Sequence, residues 1–185
     1  MTAPILDLLN AGAMHLKDTR QPAVSGADFR EAMSMMASSV GVVTAAHEGE
    51  VRGRTATAVF SLSLEPPSIL VSINIASRLA DLIVKSRGFS LAILASDQQV
   101  IGDAFAGKFD DKLAGLDRFN FGVWGQWHSG NPLLYGAAVA LDCELIGSIE
   151  TQTHMLFAGG VTATEAAPAK TPLIWHRRGY AGLKE

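Results

Sequence analysis

The feature that most narrows the fold of this chain is a two-residue period. Val139, Leu141, Cys143 and Leu145 alternate with Ala140, Asp142 and Glu144, the pattern of a strand with one face in a core. Other short apolar runs also read as strands: "VGVVTAA" (40–46), "VRGRTATAVF" (51–60), "PPSILVSINI" (66–75), "GFSLAILA" (88–95), "HMLFAGGVTATEAA" (154–167) and "PLIWHRRGY" (172–180). Gly49 in "HEGE" suits a hairpin turn between the first two. Pro66 and Pro67 cannot continue a ladder, whereas Ser68 onward can.

Helical spacing is confined to a few segments. "DFREAMSMMASS" (28–39) sets Phe29, Ala32, Met33, Met36 and Ala37 on one stripe, with Asp28 and Glu31 in a capping-box arrangement. "SRLADLIVKS" (77–86) has Ser77 at its N-cap. "SDQQVIGDAFAG" (96–107) has Ser96 and Gln99 as a capping box and Gly107 as its stop. Residues 107–134 are loop-rich. Strands joined by hairpin-like connections, with helices interposed, predict a mainly β protein: an antiparallel barrel, closed or nearly so. No strand–glycine loop–helix unit occurs, so a dinucleotide-binding doubly wound sheet is not expected. Residues 1–25 read as an N-terminal extension, a mobile arm, and 26–185 as the single domain.

Bulk properties exclude several partners. The net charge of −3 points to neither nucleic acid nor an anionic membrane. No apolar run is long enough to span a bilayer, and the N-terminus lacks a signal-peptide pattern. Hydrophobic residues make up 48% and charged ones 18%, a surplus that predicts a buried interface and a homo-oligomer. Cys143 is the single cysteine, which forbids an intrachain disulfide and fits a reducing cytoplasm. The five histidines, His15, His47, His128, His154 and His176, are not at metal-ligand spacing, so no metal site is expected. HExxH, P-loop and nucleophile-elbow patterns are all missing from the sequence. What remains is chemistry in which a cofactor does the work and the protein binds it.

The stretch "GRTATAVFSLSLEPPSILVSI" (53–73) carries Thr55, Thr57, Ser61, Ser63 and Ser68 between apolar runs. Read by itself, it is either a loop that binds acceptor oxygens or a solvated edge strand followed by a turn. Six segments together, however, resemble the short-chain flavin reductases that serve two-component monooxygenases. They are "FREAMSMMASSVGVVTA", the stretch just quoted, "SRLADLI", "IGDAFAGKFDDK", the pair "GNPLLYGAAVALDCEL" and "HMLFAGGV", and "PLIWHRRGY". The resemblance covers residues 28–183 and implies the FMN-binding split barrel.

It also implies a site. Thr55, Ala56, Thr57 and Ala58 would lie along the flavin ring, with Ser61 and Ser63 on its phosphate. Ser77 at a helix start and Arg78 would add a second anion-binding feature. Asn74 would meet the ribityl chain or phosphate. Phe105, Ala106 and Gly107 would close over the ring, with Lys108 in reach of phosphate and Tyr180 in the closing motif. His154 stands where relatives often have Gly-Asp-His, here preceded by Gln152 and Thr153, and is the candidate catalytic residue, in contact with the nicotinamide or the flavin edge. The signature departs from many relatives at Thr57 and Ala58, which leaves FMN and FAD both open. The implied activity is hydride transfer from NADH, or NADPH, to flavin, with reduced flavin passed to a monooxygenase. The alternatives are a flavin- or haem-binding split barrel without turnover, and an oxidase like those acting on pyridoxamine phosphate.

Overall fold

The structure, a computed structural model, describes residues 12–14, 16–108 and 116–183. In chain order, β1 (Gly12–Ala13) precedes α1 (Gly26–Ser34), β2 (Ser38–Ser39), β3 (Gly41–His47), β4 (Glu50–Ala56), β5 (Val59–Leu64) and β6 (Pro67–Asn74). Next come α2 (Arg78–Ser86), β7 (Gly88–Ile93), α3 (Gln99–Ala106), a 3-10 turn (Arg118–Asn120), β8 (Trp124–Gln126) and β9 (Pro132–Leu134). The long strands β10 (Val139–Glu150) and β11 (His154–Ala166) follow, then β12 (Ile174–His176) and β13 (Gly179–Ala181).

Seven strands form one antiparallel path in the order β4-β3-β7-β10-β11-β6-β5. Its two edge strands are consecutive in the chain, separated only by Thr57 and Ala58. Three Cα–Cα steps reach at most roughly 11 Å, so the two edges must meet and the sheet must curl on itself. The result is a barrel split where β4 and β5 part. Inside it lie Val43, Val71, Phe89, Leu91, Cys143 and Phe157, and α2 closes one end with Leu79, Leu82 and Ile83. A second core lies on the other face of β3 and β7, where Val42, Leu94, Phe105, Leu134 and Leu173 pack together.

Local signals located most elements. Ser77 caps α2 and accepts from the Leu79 N–H. The turn between β3 and β4 has positive φ at Glu48 and Gly49, and α3 stops at Gly107 in the left-handed region.

Elsewhere the structure corrects the sequence expectations. α1 starts earlier than its stripe implied: Ser25 is the N-cap, and its hydroxyl accepts from Asp28 N–H and donates to the Asp28 carboxylate, so Asp28 and Glu31 form no capping box. None of α1 is buried, and Phe29 is 56% exposed. Ser96 does not cap α3; its backbone and hydroxyl bond Thr171, and Gln98 occupies the cap position. The run 51–60 is not one strand, because β4 ends at Ala56 and β5 begins at Val59. The final segment is a hairpin, β12–β13, turning at Arg177 and Arg178 with positive φ. The N-terminal extension, expected to be a mobile arm, is anchored at Gly12 and Ala13, which pair in parallel with Ile149 and Glu150; residues 1–11 and 15 lie outside the described residues.

Candidate functional site

Among the described residues β4 pairs with β3 alone, so its outer edge keeps backbone N–H and C=O groups outside any ladder. A run of cavities follows this edge. At the split, a cleft of about 620 Å³ has an apolar floor of Ile69, Val71, Leu91, Ile93 and Leu141 and a hydroxyl rim of Ser38, Ser39, Thr57 and Ser61. Thr57 also lines a smaller cavity of about 240 Å³ beside Arg54, Thr55, Ala106, Lys108, Trp175 and Tyr180. Arg54 in turn lines a third cavity of about 460 Å³, whose walls include Arg52, Ser77, Arg78, Arg118 and Phe119. Thr57 and Arg54, each shared by two of them, set these cavities side by side along β4 as a groove in three parts, basic at one end and apolar at the other. From Gly53 to Thr57 the strand covers about 13 Å, comparable to the reach of a mononucleotide with its base.

The middle of the groove is held by a polar cluster. The Tyr180 hydroxyl donates to Asp103 Oδ1 at 2.8 Å. Lys108 Nζ stands 3.8 Å from the same oxygen and 4.4 Å over the Trp175 ring. Trp175 and Tyr180 meet edge to face, with centroids 5.2 Å apart. Burial first, and the Asp103 carboxylate second, push the Tyr180 phenol well above its usual range. Tyr180 therefore stays a neutral donor at any working pH, and Lys108 is a cation fixed beside an aromatic wall.

The basic end is built from two elements. At the start of α2 the N–H groups of Ser77, Leu79 and Ala80 are bonded to the Asn74 carbonyl, the Ser77 hydroxyl and the Ser77 carbonyl, so this end offers an anion the helix dipole and Arg78. β4 contributes Arg52 and Arg54, and the 3-10 turn contributes Arg118, whose Nη1 reaches the Gly53 carbonyl at 3.5 Å. Arg54 and Arg78 have no ion-pair partner among the described residues.

The residues nominated from sequence divide accordingly. Thr57, Ala58 and Ser61 line the split cleft; Ala106, Lys108 and Tyr180 line the middle cavity, and Ser77 and Arg78 the basic one. Thr55 reaches the middle cavity, but its hydroxyl is spent on the Gly102 carbonyl at 2.7 Å. Ala56 pairs with Gly41 and packs against the barrel core. Ser63 is turned into a local bend with Glu65, and Asn74 accepts from the Ala76 N–H just before α2. Gly107 serves as the helix stop.

Two expectations fail on position. Phe105 is fully buried in the second core, in edge contact with Phe119, so it covers no ring. Ser61 and Ser77 cannot share one phosphate: Ser61 pairs with Ile69 and Ser77 follows Asn74, at opposite ends of β6, roughly 15 Å apart. His154 opens β11 opposite Asn74, its Nδ1 2.9 Å from Thr153 Oγ1, and is not among the residues lining the groove. Sequence reasoning did not nominate Arg52, Arg54, Arg118 or Trp175. Arg52 and Arg54 at alternate positions of an edge strand were the one available signal. Among the described residues, no group of three His, Cys, Asp or Glu stands together to hold a metal ion.

A split barrel with an unpaired strand edge, a hydroxyl-rimmed apolar cleft and a neighbouring arginine-lined cavity defines a nucleotide-cofactor-binding class of protein. Comparison narrows the class: residues 33–184 match the model of the flavin reductase like domain, and the chain belongs to that family. It is 33% identical over 157 residues to a Rhizobium sp. protein, the reductase component of an FADH(2)-dependent resorcinol hydroxylase, covering 84% of this chain and 86% of the relative. It is 35% identical over 166 residues to the NADH:riboflavin 5'-phosphate oxidoreductase of Streptomyces pristinaespiralis, covering 88% and 91%. The solved structure of flavin reductase PheA2 superposes with a TM-score of 0.79 at 29% identity, covering 88% of this chain and all of the other.

Proposed function

We infer that the protein is an NAD(P)H-dependent flavin reductase whose reduced flavin serves a partner monooxygenase. The observation that carries this reading is the row of adjoining cavities along the free edge of β4, from the arginine-lined one to the split cleft. The groove fits a flavin: apolar walls for a flat ring, backbone and hydroxyl donors for its edges, guanidinium groups for its phosphate. Thr57 and Ala58, with the free β4 edge, would hold the ring; Arg54, Ser77 and Arg78 would hold the phosphate. A bound flavin supplies the hydride acceptor. The chain's own task is to orient two flat rings at contact distance and keep water out, a task that the apolar floor of the split cleft beside Thr57 would serve. Tyr180, kept neutral by burial and then by Asp103, and Lys108, paired with the same carboxylate, line the middle of the groove. His154 remains the candidate nicotinamide contact, approaching from the strand end next to Asn74.

We also propose a homodimer. Phe60 is 55% exposed and Leu64 82% exposed on edge strand β5, and Phe60 lies opposite Leu70 on the outer face of the sheet. Met36 and Phe29 of the unburied helix region line cavities that also contain Thr57 and Ala58. An apolar edge strand beside an apolar helix stripe is an aggregation hazard unless a second copy covers it. No helix among the described residues is long and apolar enough to cross a membrane. A cytoplasmic setting, where NADH is regenerated, suits the reading.

The deciding experiment is anaerobic stopped-flow mixing of the protein with NADH and free FMN or FAD. The expected result is flavin bleaching matched one-to-one by NADH loss. Tight flavin binding without NADH oxidation would support a binding protein without turnover and reject the reductase.

A further inference from the structure

Helix α2 borders a second cavity, apart from the groove. Its volume is about 290 Å³, and its walls include Ile75, Ala80, Val84 and Met155, with Lys85 and Glu150 beside them. None of these residues lines the groove. The lining is mostly apolar, and Ile75 is 37% exposed. An apolar hollow open to water gains free energy from any apolar side chain that fills it.

The N-terminal extension joins the fold at this cavity. Gly12 and Ala13 pair with Ile149 and Glu150, and the Met14 N–H donates to the Glu150 carbonyl at 2.8 Å, so the chain enters beside a residue of the cavity wall. The edge of β10 next to β1 is open as well. β11 takes one edge of β10 along its length, whereas the other edge pairs with β7 only over Val139–Glu144 and with β1 only at Ile149 and Glu150. Among the described residues no strand pairs with residues 146–148 on that side. Because β1 runs parallel to β10, a chain followed back from Gly12 heads along this open edge, and the Leu145 N–H bond to the Arg87 carbonyl shows that the far end of α2 lies there too.

Eleven residues precede Gly12, and they carry Ile5, Leu8 and Leu9 at the spacing of one helix stripe, with Asp7 off that stripe. Leu9 and Leu8 are three and four residues from Gly12, a reach of at most roughly 11 and 14 Å. We propose that the cavity holds the chain's own N-terminal segment: Asn10 and Ala11 continue β1 along the open edge of β10, and Leu8 and Leu9 pack on Ala80 and Val84. The segment is then a strap across α2, the helix that carries Ser77 and Arg78 to the basic cavity.

Two measurements on the ligand-free protein test the strap, so neither depends on the reductase reading. In the first, hydrogen exchange is compared between the wild type and Leu8→Asp/Leu9→Asp. Amides 82–86 of α2 should exchange about tenfold faster or more in the variant, with those of 139–144 in β10 unchanged. Unchanged exchange in α2 overturns the proposal, as does an equal rise in both segments. In the second, Leu9→Cys/Val84→Cys is oxidised in air and read by non-reducing electrophoresis and peptide mass mapping; Cys143 is buried and does not compete. An intrachain disulfide is expected. An interchain disulfide would assign the cavity to the segment of a second copy and overturn the strap, and no disulfide of either kind would place the leucines elsewhere and overturn it too.

Discussion

Gly53→Ala is the substitution that most directly tests how the groove is held in shape. A β-carbon at this position would stand 2.5 Å from Phe105 Cε1, 2.8 Å from Phe105 Cδ1 and 2.9 Å from Thr44 Cγ2. Neither neighbour has room to move. Phe105 is fully buried, with the Phe119 ring 5.1 Å and the Trp124 ring 5.4 Å away, and Thr44 is also buried. Overpacking of this kind costs about 1–3 kcal/mol. At roughly 2–4 °C per kcal/mol for a domain of this size, the melting temperature should fall by about 2–12 °C. Function should suffer as well, since Gly53 lies between Arg52 and Arg54, and the next residue, Thr55, is pinned to α3 through Gly102. A strand pushed off Phe105 carries those side chains with it, so flavin affinity should drop. The assay is thermal melting and flavin titration on Gly53→Ala, Phe105→Leu and the double variant. The smaller leucine makes room, so the double variant should be more stable than the summed single losses by about 0.5–3 kcal/mol. An unchanged melting temperature for Gly53→Ala, or strict additivity, would refute the reasoning.

Four further outcomes are expected. Ser77→Ala with Arg78→Ala should weaken flavin binding at least tenfold, at about 1.5–3 kcal/mol per charge-assisted bond; an unchanged Kd removes α2 from the phosphate site. His154→Ala should raise KM for NADH with flavin Kd nearly constant; normal kinetics with a lower melting temperature would reduce His154 to a strand-end role. Burial, and behind it the charge of Asp142, raises the Cys143 thiol from 9.0 to about 12. Stability held by the neutral thiol is complete below its ordinary pKa and is lost as pH climbs from about 9 toward 12, by up to ~1.4 kcal/mol per pH unit. Melting curves taken upward from about pH 8 should therefore fall less steeply for Cys143→Ala than for the wild type; parallel curves would contradict the shift. Phe60→Glu with Leu64→Lys should yield a monomer by light scattering at micromolar concentration, and a dimer that survives both changes places the interface elsewhere.

Much of the architecture follows from interactions between residues close in the chain. Ser77 caps α2 because its hydroxyl reaches the N–H of Leu79, two residues on. Gly49 and Gly107 turn the chain through a backbone region that side chains resist. Val139, Leu141, Cys143 and Leu145 alternate because a pleat sends every second side chain to the same face. The motif order that carries the family resemblance is likewise a property of the linear chain.

Other features have no local cause. The run from Val51 to Phe60 has continuous strand propensity, yet it breaks at Thr57 and Ala58 because the curled sheet brings its two edges together there. The spacing of Phe29, Met33 and Met36 marks an apolar stripe but not what covers it, and among the described residues it stays exposed. Phe105 has one sequence context whether it covers a ligand or fills a core; packing against Phe119, Trp124 and Gly53 put it in the core. The basic cavity gathers Arg52 and Arg54 from an edge strand, Arg78 from a helix start and Arg118 from a distant turn. Short-range hydrogen bonds and side-chain periodicity determined the elements from sequence alone. The groove is long-range, and only closure of the sheet decided which charges and hydroxyls would face each other across it.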